Sequence, residues 1–365
     1  MDHLCYFDNA STTPICEAAK KVILENMDEF YNPNSSYEAA RRVKLKVEDA
    51  REKIASLIGA EPDEIYFTSG GSESNSWVTF NEFPMALEIE HHSNLPEPIT
   101  ETILVDKDGI LNFYDLEDEL EKFPLIQVVS CMMVNNELGI VEPIDKIAEL
   151  VHRYGGLIHT DAVQALPHMR INVQNIDMLS ASAHKFGGIK GAGFLYIKKG
   201  IELHPLIKGG SQEQGIRGGT TNVLGVLAMA EALEDTVTHM DENNAKIAYL
   251  MDKLKGYLLP VQGVTPNVDY DKTPHINSIL NLRIDGVHGA DVVAMCDEYG
   301  IAISAGSACN EGDATPSHVL KAIGLTDEEA LSSIRISLSH NNTEEEIDYA
   351  GMMIPKIITR LRDIR

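Results

Sequence analysis

Residues 180–193 read SASAHKFGGIKGAG and lie between two apolar runs, Ile176-Asp177-Met178-Leu179 before and Gly193-Phe194-Leu195-Tyr196-Ile197 after. Both runs have the character of buried strands. Small residues, then His184-Lys185, then a glycine-rich turn join them, which holds one lysine at a strand edge. A lysine beside histidine in a half-buried loop loses hydration, and the neutral amine that results is a nucleophile for an aldehyde. An ordinary surface lysine next to a histidine is the alternative, and the surrounding sequence has to separate the two.

From residue 64 onward strand-like and helix-like patterns alternate, which predicts an α/β fold with a mostly parallel mixed sheet flanked by helices. Residues 64–68 form a strand, and Ser69-Gly70-Gly71-Ser72-Glu73-Ser74-Asn75 turns from it into a helix. Free amides and the helix dipole make that turn a seat for an anion such as phosphate, although a simple glycine-bearing helix cap has the same sequence. Neither GxGxxG nor GxxxxGK is present there, so the nucleotide fingerprints fail. Glu90-His91-His92 ends the next apolar segment, where a histidine either faces solvent or lies over a flat ring. Two further strands, 125–134 and 157–160, run into Asn135-Asn136-Glu137 and Asp161-Ala162-Val163-Gln164. Each places polar groups at the carboxyl end of a strand, where open α/β sheets bind ligands. Asp161 in that position caps a helix, binds a cation or pairs with a pyridine nitrogen.

The rest of the chain completes two domains. Helices are expected over residues 17–30 and 36–58, the second after a turn, Asn32-Pro33-Asn34-Ser35-Ser36, with a capping serine. A glycine-dense loop spans 209–221 and a long helix follows to residue 257. Pro260, Gly263 and Pro266 then break the pattern. Strands at 276–284 and 301–304, a helix at 289–299 and a terminal helix opened by Thr343 with Glu346 predict a smaller α+β domain. Residues 14–256 are assigned to the large domain, and residues 1–13 with 257–365 to the small one. The small domain contains Ser304-Ala305-Gly306-Ser307-Ala308-Cys309, a cysteine in a polar, glycine-bearing loop that suits an exposed thiol. Arg335, amid alternating apolar residues, is expected to point off the core face, either into an ion pair or onto a substrate carboxylate.

Composition narrows the class. The formal charge is -26, from 30 basic against 56 acidic residues, which argues against a nucleic-acid or anionic-membrane surface. Five scattered cysteines without a CxxC pair give neither a disulfide framework nor a zinc site, so no metal is expected and a reducing cytoplasm is. No apolar run approaches the roughly 18 residues of a membrane span, and no leader is expected at the start.

In order along the chain, TSGGSESN, EHH, VNNELG, HTDAVQ, SASAHKFGG, GGSQEQGIRGGTTN, SAGSAC, SHVLKAIGL and SSIRISLSHNNTEEEID resemble the cysteine desulfurases of the NifS/IscS type. These belong to the class V aminotransferase group of fold-type I pyridoxal-phosphate enzymes. The resemblance implies pyridoxal 5'-phosphate on Lys185, with Asp161 at its ring nitrogen, His91 against its face and Gln164 at its phenolic oxygen. It implies Gly71, Ser72, Ser182 and His184 around the phosphate, and Asn136 in contact with both cofactor and substrate. Arg335 would hold the carboxylate of L-cysteine, and Cys309 would take its sulfur as a persulfide, leaving L-alanine. Thr220 would complete the phosphate site of a neighbouring subunit in a homodimer, and a sulfur-acceptor protein, as in iron–sulfur assembly, would follow. Selenocysteine lyase, another class V transaminase or lyase, and a non-catalytic assembly module share much of this pattern. Two departures stand out: the segment 75–90 is shorter than in typical members, and 32–37 lacks their histidine.

Overall fold

The computed structural model describes residues 4–82, 84–95, 102–123, 128–305 and 315–364, so Cys309 lies outside the described residues. A two-residue strand, β1 (Cys5–Tyr6), opens the chain. The main sheet consists of β2 (Ile65–Thr68), β3 (Met85–Leu87), β4 (Thr102–Ile103), β5 (Val128–Ser130), β6 (Leu157–Asp161), β7 (Met178–Ser182) and β8 (Gly193–Ile197). Their order is β2-β8-β7-β6-β5-β3-β4, and within it β8 alone runs against its neighbours. The sheet is therefore mixed and mostly parallel, as expected. Its strands are buried along almost their whole length because helices cover both faces, which explains their continuous rather than alternating apolar sequence. His159, inside β6, is fully buried, and its two ring nitrogens are satisfied by Ser130 Oγ at 2.8 Å and Ser180 Oγ at 2.9 Å. Burial drives its pKa down to about 3, so it is a neutral structural histidine.

The helix Glu38–Ile58 shows how the flanking layer is written in sequence. Ala40, Val43, Val47, Ala50, Ile54 and Ile58 recur at three- and four-residue spacing and form its buried stripe. Gly59, at φ +75°, ends it in the left-handed conformation that glycine adopts without strain. The expected helix over 17–30 stops earlier, as Glu17–Asn26, where the Asn26 amide turns back onto the Val22 carbonyl and its oxygen accepts from Lys46. The capping serine before the next helix is not observed. Tyr37 occupies the cap without a side-chain bond, and Ser36 gives its carbonyl to Arg41. Only Val128–Ser130 of the long strand expected over 125–134 is strand among the described residues, because the Met132 amide is taken by the Glu90 carboxylate.

Past residue 260 come β9 (Val264–Pro266), β10 (Ile279–Ile284), β11 (Ile301–Ala302), β12 (Ser304–Ala305) and β13 (Ser333–Ser337). An antiparallel sheet has the order β12-β13-β10-β9, while β11 pairs in parallel with β1. Its core combines Leu280, Leu282, Ile334 and Ile336 with Cys5 and Phe7 and with the helix Glu344–Ile364. That last helix starts with the expected box: Thr343 N donates to Glu346, and Glu346 N donates to the Thr343 hydroxyl. The helix Val223–Leu258 ties the two halves together, since Val226–Leu233 packs into the main core while Ile247–Leu258 packs into the second.

Gly193 sits where β7, β8 and the turn after β2 meet. A Cβ there would strike the Ala181 carbonyl and lie 2.6 Å from Gly70 Cα. Gly193→Ala is expected to cost about 2 kcal/mol, read as a lower urea midpoint, because the obstruction is backbone that cannot rotate away. A midpoint equal to wild type would show that this close approach is not needed.

Candidate active site

Because β2, β5, β6 and β7 all run the same way, their carboxyl ends open on one edge of the sheet. A cavity of about 450 Å3 lies there, between the main sheet and the antiparallel one. Asp161, 4% exposed, closes β6. Its Oδ1 accepts from the Val163 amide at 2.9 Å and its Oδ2 from Asn75 Nδ2 at 2.7 Å, so the carboxylate is fixed in orientation. Asn75 Nδ2 also reaches Ser93 Oγ, while Asn75 Oδ1 is buried with no partner among the described residues.

One strand over, β7 ends at Ser182 and a single helical turn, Ala183–Lys185, lifts Lys185 to the cavity. Lys185 Nζ donates to the carbonyls of Ala10 at 2.6 Å and Ser11 at 2.8 Å. Gln164 Nε2 donates to the same Ala10 carbonyl at 2.7 Å. His184 is anchored beside it by Thr12 Oγ1 at 3.1 Å, and burial next to Lys185 and Lys190 lowers its pKa to about 4. At neutral pH it is an uncharged hydrogen-bonding group.

The turn from β2 into the helix Gly71–Glu82 forms the opposite wall. Gly70 takes φ +147°, and a Cβ on Gly71 would lie 2.7 Å from Val163 Cγ2, so only glycine lets the helix start approach the strand ends this closely. Amides at this helix start, the exposed Ser72 hydroxyl, Ser182 and His184 face one another across the cavity. That donor set suits a phosphate. His91 lines the cavity with its ring open to it, and Nδ1 is held by Ser93 through both its hydroxyl at 2.7 Å and its amide at 3.1 Å. Surrounding protein lowers the His91 pKa from the ordinary value, Asp161 opposes this and Lys185 adds to it.

Arg335 points off the apolar core, as expected: its neighbours Ile334 and Ile336 face that core, while Arg335, although only 7% exposed, makes an ion pair with Asp8. The guanidinium lies on the cavity wall, where Nη1 donates to the Asn136 carbonyl and Nη2 to Asp8 Oδ1 and Ser11 Oγ. Its Nε is buried and has no partner among the described residues, a donor left for a ligand. Asn136 lines the same cavity. Thr220 does not; it is exposed in a separate recess with Ser69, Gly191 and Arg217. Cys309 lies outside the described residues, but Ser304 and Ala305 before it and Thr315 to His318 after it all line the cavity.

Several wall residues had been given no individual role. Glu137, 8% exposed, accepts from Ser317 Oγ at 2.7 Å, and His318 meets the Glu90 carbonyl at 2.9 Å with its ring 4.5 Å from that of His92. The signal available was a carboxylate directly after the buried run that ends in Asn135-Asn136.

The family model for the class V aminotransferases matches residues 5–350. The chain belongs to that family. Among class V relatives, it is 37% identical to the cysteine desulfurase IscS of Clostridium botulinum, covering 100% of this chain and 96% of that one. Of solved structures, a NifS-like protein superposes with a TM-score of 0.89 at 31% identity, covering 98% of this chain and 100% of that one. SspA in complex with cysteine gives 0.79 at 31% identity, covering 93% and 99%.

Gly71→Ala is expected to keep the far-ultraviolet circular dichroism of wild type and to weaken binding of inorganic phosphate by tenfold or more, roughly the loss of one charge-assisted hydrogen bond. Unchanged phosphate affinity would place the anion seat elsewhere.

Proposed function

We propose that this class V chain is a cysteine desulfurase that holds pyridoxal 5'-phosphate and moves sulfur from L-cysteine to Cys309. The observation that carries the reading is the convergence of Lys185, Asp161 and Arg335 on one cavity, whose rim also includes both flanks of the segment bearing Cys309. The donor set fits the cofactor: an anion seat at a glycine-bearing helix start, an oriented carboxylate and an amine, in one space of about 450 Å3. When bound, the cofactor supplies an aldehyde for the substrate amine and a ring that draws electrons from the α-carbon.

The chain's own residues have distinct tasks. Gly71, Ser72, Ser182 and His184 hold the phosphate, and Asp161, kept rigid by Asn75 and Val163, holds a proton at the ring nitrogen. His91 would pack against the ring and Gln164 would hydrogen-bond the phenolic oxygen. Lys185 would hold the cofactor through its aldehyde, and its free amine would be the base that takes the α-proton. Arg335 and Asn136 seat the carboxylate, which orients the thiol toward Cys309. The Cys309 thiolate would attack the substrate sulfur: a sulfur–sulfur bond forms, the carbon–sulfur bond breaks with its electron pair left on carbon, the β-carbon takes up a proton and the α-carbon regains the one held by Lys185, giving alanine. Cys309 then passes its sulfur to an acceptor protein, as in iron–sulfur assembly. Thr220, exposed and away from this cavity, serves the phosphate site of a second subunit in a homodimer.

The test is spectroscopic. Purified protein is expected to absorb in the near-visible range, the band to move when L-cysteine is added, and Lys185→Ala to lack both the band and turnover, a loss of at least about 1,000-fold. A colourless wild type, or a spectrum indifferent to cysteine, would overturn the assignment.

A further inference from the structure

Glu137 shares the cavity with Arg335 but has no part in the reading above. Its carboxyl is buried next in sequence to Asn136, whose carbonyl accepts from Arg335 Nη1, and its one side-chain partner among the described residues is the Ser317 hydroxyl. The turn itself is rigid. Asn135 Oδ1 accepts from the amides of Glu137 and Leu138, and Asn281 of β10 donates to the Glu137 carbonyl. The carboxyl thus shares the cavity wall with the guanidinium and feels its charge, with no direct ion pair between them among the described residues, while Asp8 occupies the pairing position.

We propose that Glu137 sets the affinity of the Arg335 seat for the substrate carboxylate: neutral, it leaves the seat electropositive, and ionised, it repels the incoming anion. This rests on the reading of Arg335 as the carboxylate seat. Burial raises the Glu137 pKa to about 7, against the opposing pull of Ser317 and Arg335, so the group changes charge in the neutral range. The sign follows. Below neutrality Glu137 is protonated and the seat binds well; above it the added negative charge weakens binding, and by linkage the bound carboxylate raises the Glu137 pKa further.

Other groups facing the same space behave differently. Asp8 is engaged by Arg335, and Asp161 by Asn75 and Val163. His91 and His318 have pKa values lowered by burial, while Lys185 is bound to two carbonyls and His92 packs on His318. A Glu137→Gln substitution keeps an oxygen for Ser317 and removes only the titration, so the difference from wild type isolates this one charge.

The experiment titrates the holoenzyme calorimetrically with 3-mercaptopropionate, which has the carboxylate and thiol of cysteine without the amine and keeps its charge between about pH 6 and about pH 8. Wild-type affinity is expected to weaken roughly fivefold across that range, the order of magnitude of one like charge acting through largely water-screened space. Glu137→Gln is expected to bind equally at both ends. Ser317→Ala, which removes a bond favouring the ionised carboxyl, is expected to move the transition to higher pH. A wild-type slope retained in Glu137→Gln overturns the inference. Arg335→Gln is expected to weaken the probe at both pH values; if its affinity is unchanged, the carboxylate seat itself is misplaced, a separate failure.

Discussion

The short stretch from Asp8 to Thr13 lies between the two sheets and hydrogen-bonds to the groups on which the chemistry depends. The Ala10 carbonyl accepts from both Lys185 and Gln164, and the Ser11 carbonyl from Lys185. Asp8 and the Ser11 hydroxyl hold Arg335, and Thr12 holds His184. The same stretch is pinned to the antiparallel sheet, where Asn9 N reaches the Ser337 carbonyl and Ala10 N the Ser337 hydroxyl. An amine contributed by one sheet and a guanidinium contributed by the other are therefore spaced by a single piece of backbone. Catalysis that relies on two groups meeting one substrate requires such fixed spacing.

The parallel strands supply the other constraint. Asp161 is registered opposite Ser180, two residues before Ser182 and five before Lys185, so carboxylate, hydroxyl and amine emerge side by side without any long loop. The sheet interior holds them rigid, including a neutral histidine bridging two serines directly beneath. Flexibility is not needed at this end of the cavity, because the reaction asks these groups for orientation rather than movement.

Much of this was legible in sequence. The run GFLYI is β8 residue for residue, and the alternation of strands and helices gave the mixed, mostly parallel sheet. Side chains whose chemistry is written in their type, such as Lys185, Asp161, His91 and Arg335, were located as candidates, and all four line one cavity. What sequence did not reveal were contacts made by backbone, which has no letter of its own: the Ala10 and Ser11 carbonyls are invisible in the pattern. The alternation around Arg335 placed it off the apolar face; its burial was not visible, because β13 is an inner strand whose second face is covered by the cavity wall. Glu137 was passed over because a buried carboxylate next to two asparagines reads as a polar turn.

The central claim is that the amine of Lys185 and the thiol of Cys309 act on one substrate molecule. Intact-mass measurement after mixing the protein with one equivalent of L-cysteine, without any acceptor, tests it most directly. The account predicts a chain heavier by one sulfur atom, reversed by reductant and located on the Cys309 peptide, in wild type and not in Lys185→Ala. Alanine formed with no sulfur on Cys309, or the same sulfur gain in Lys185→Ala, would contradict it.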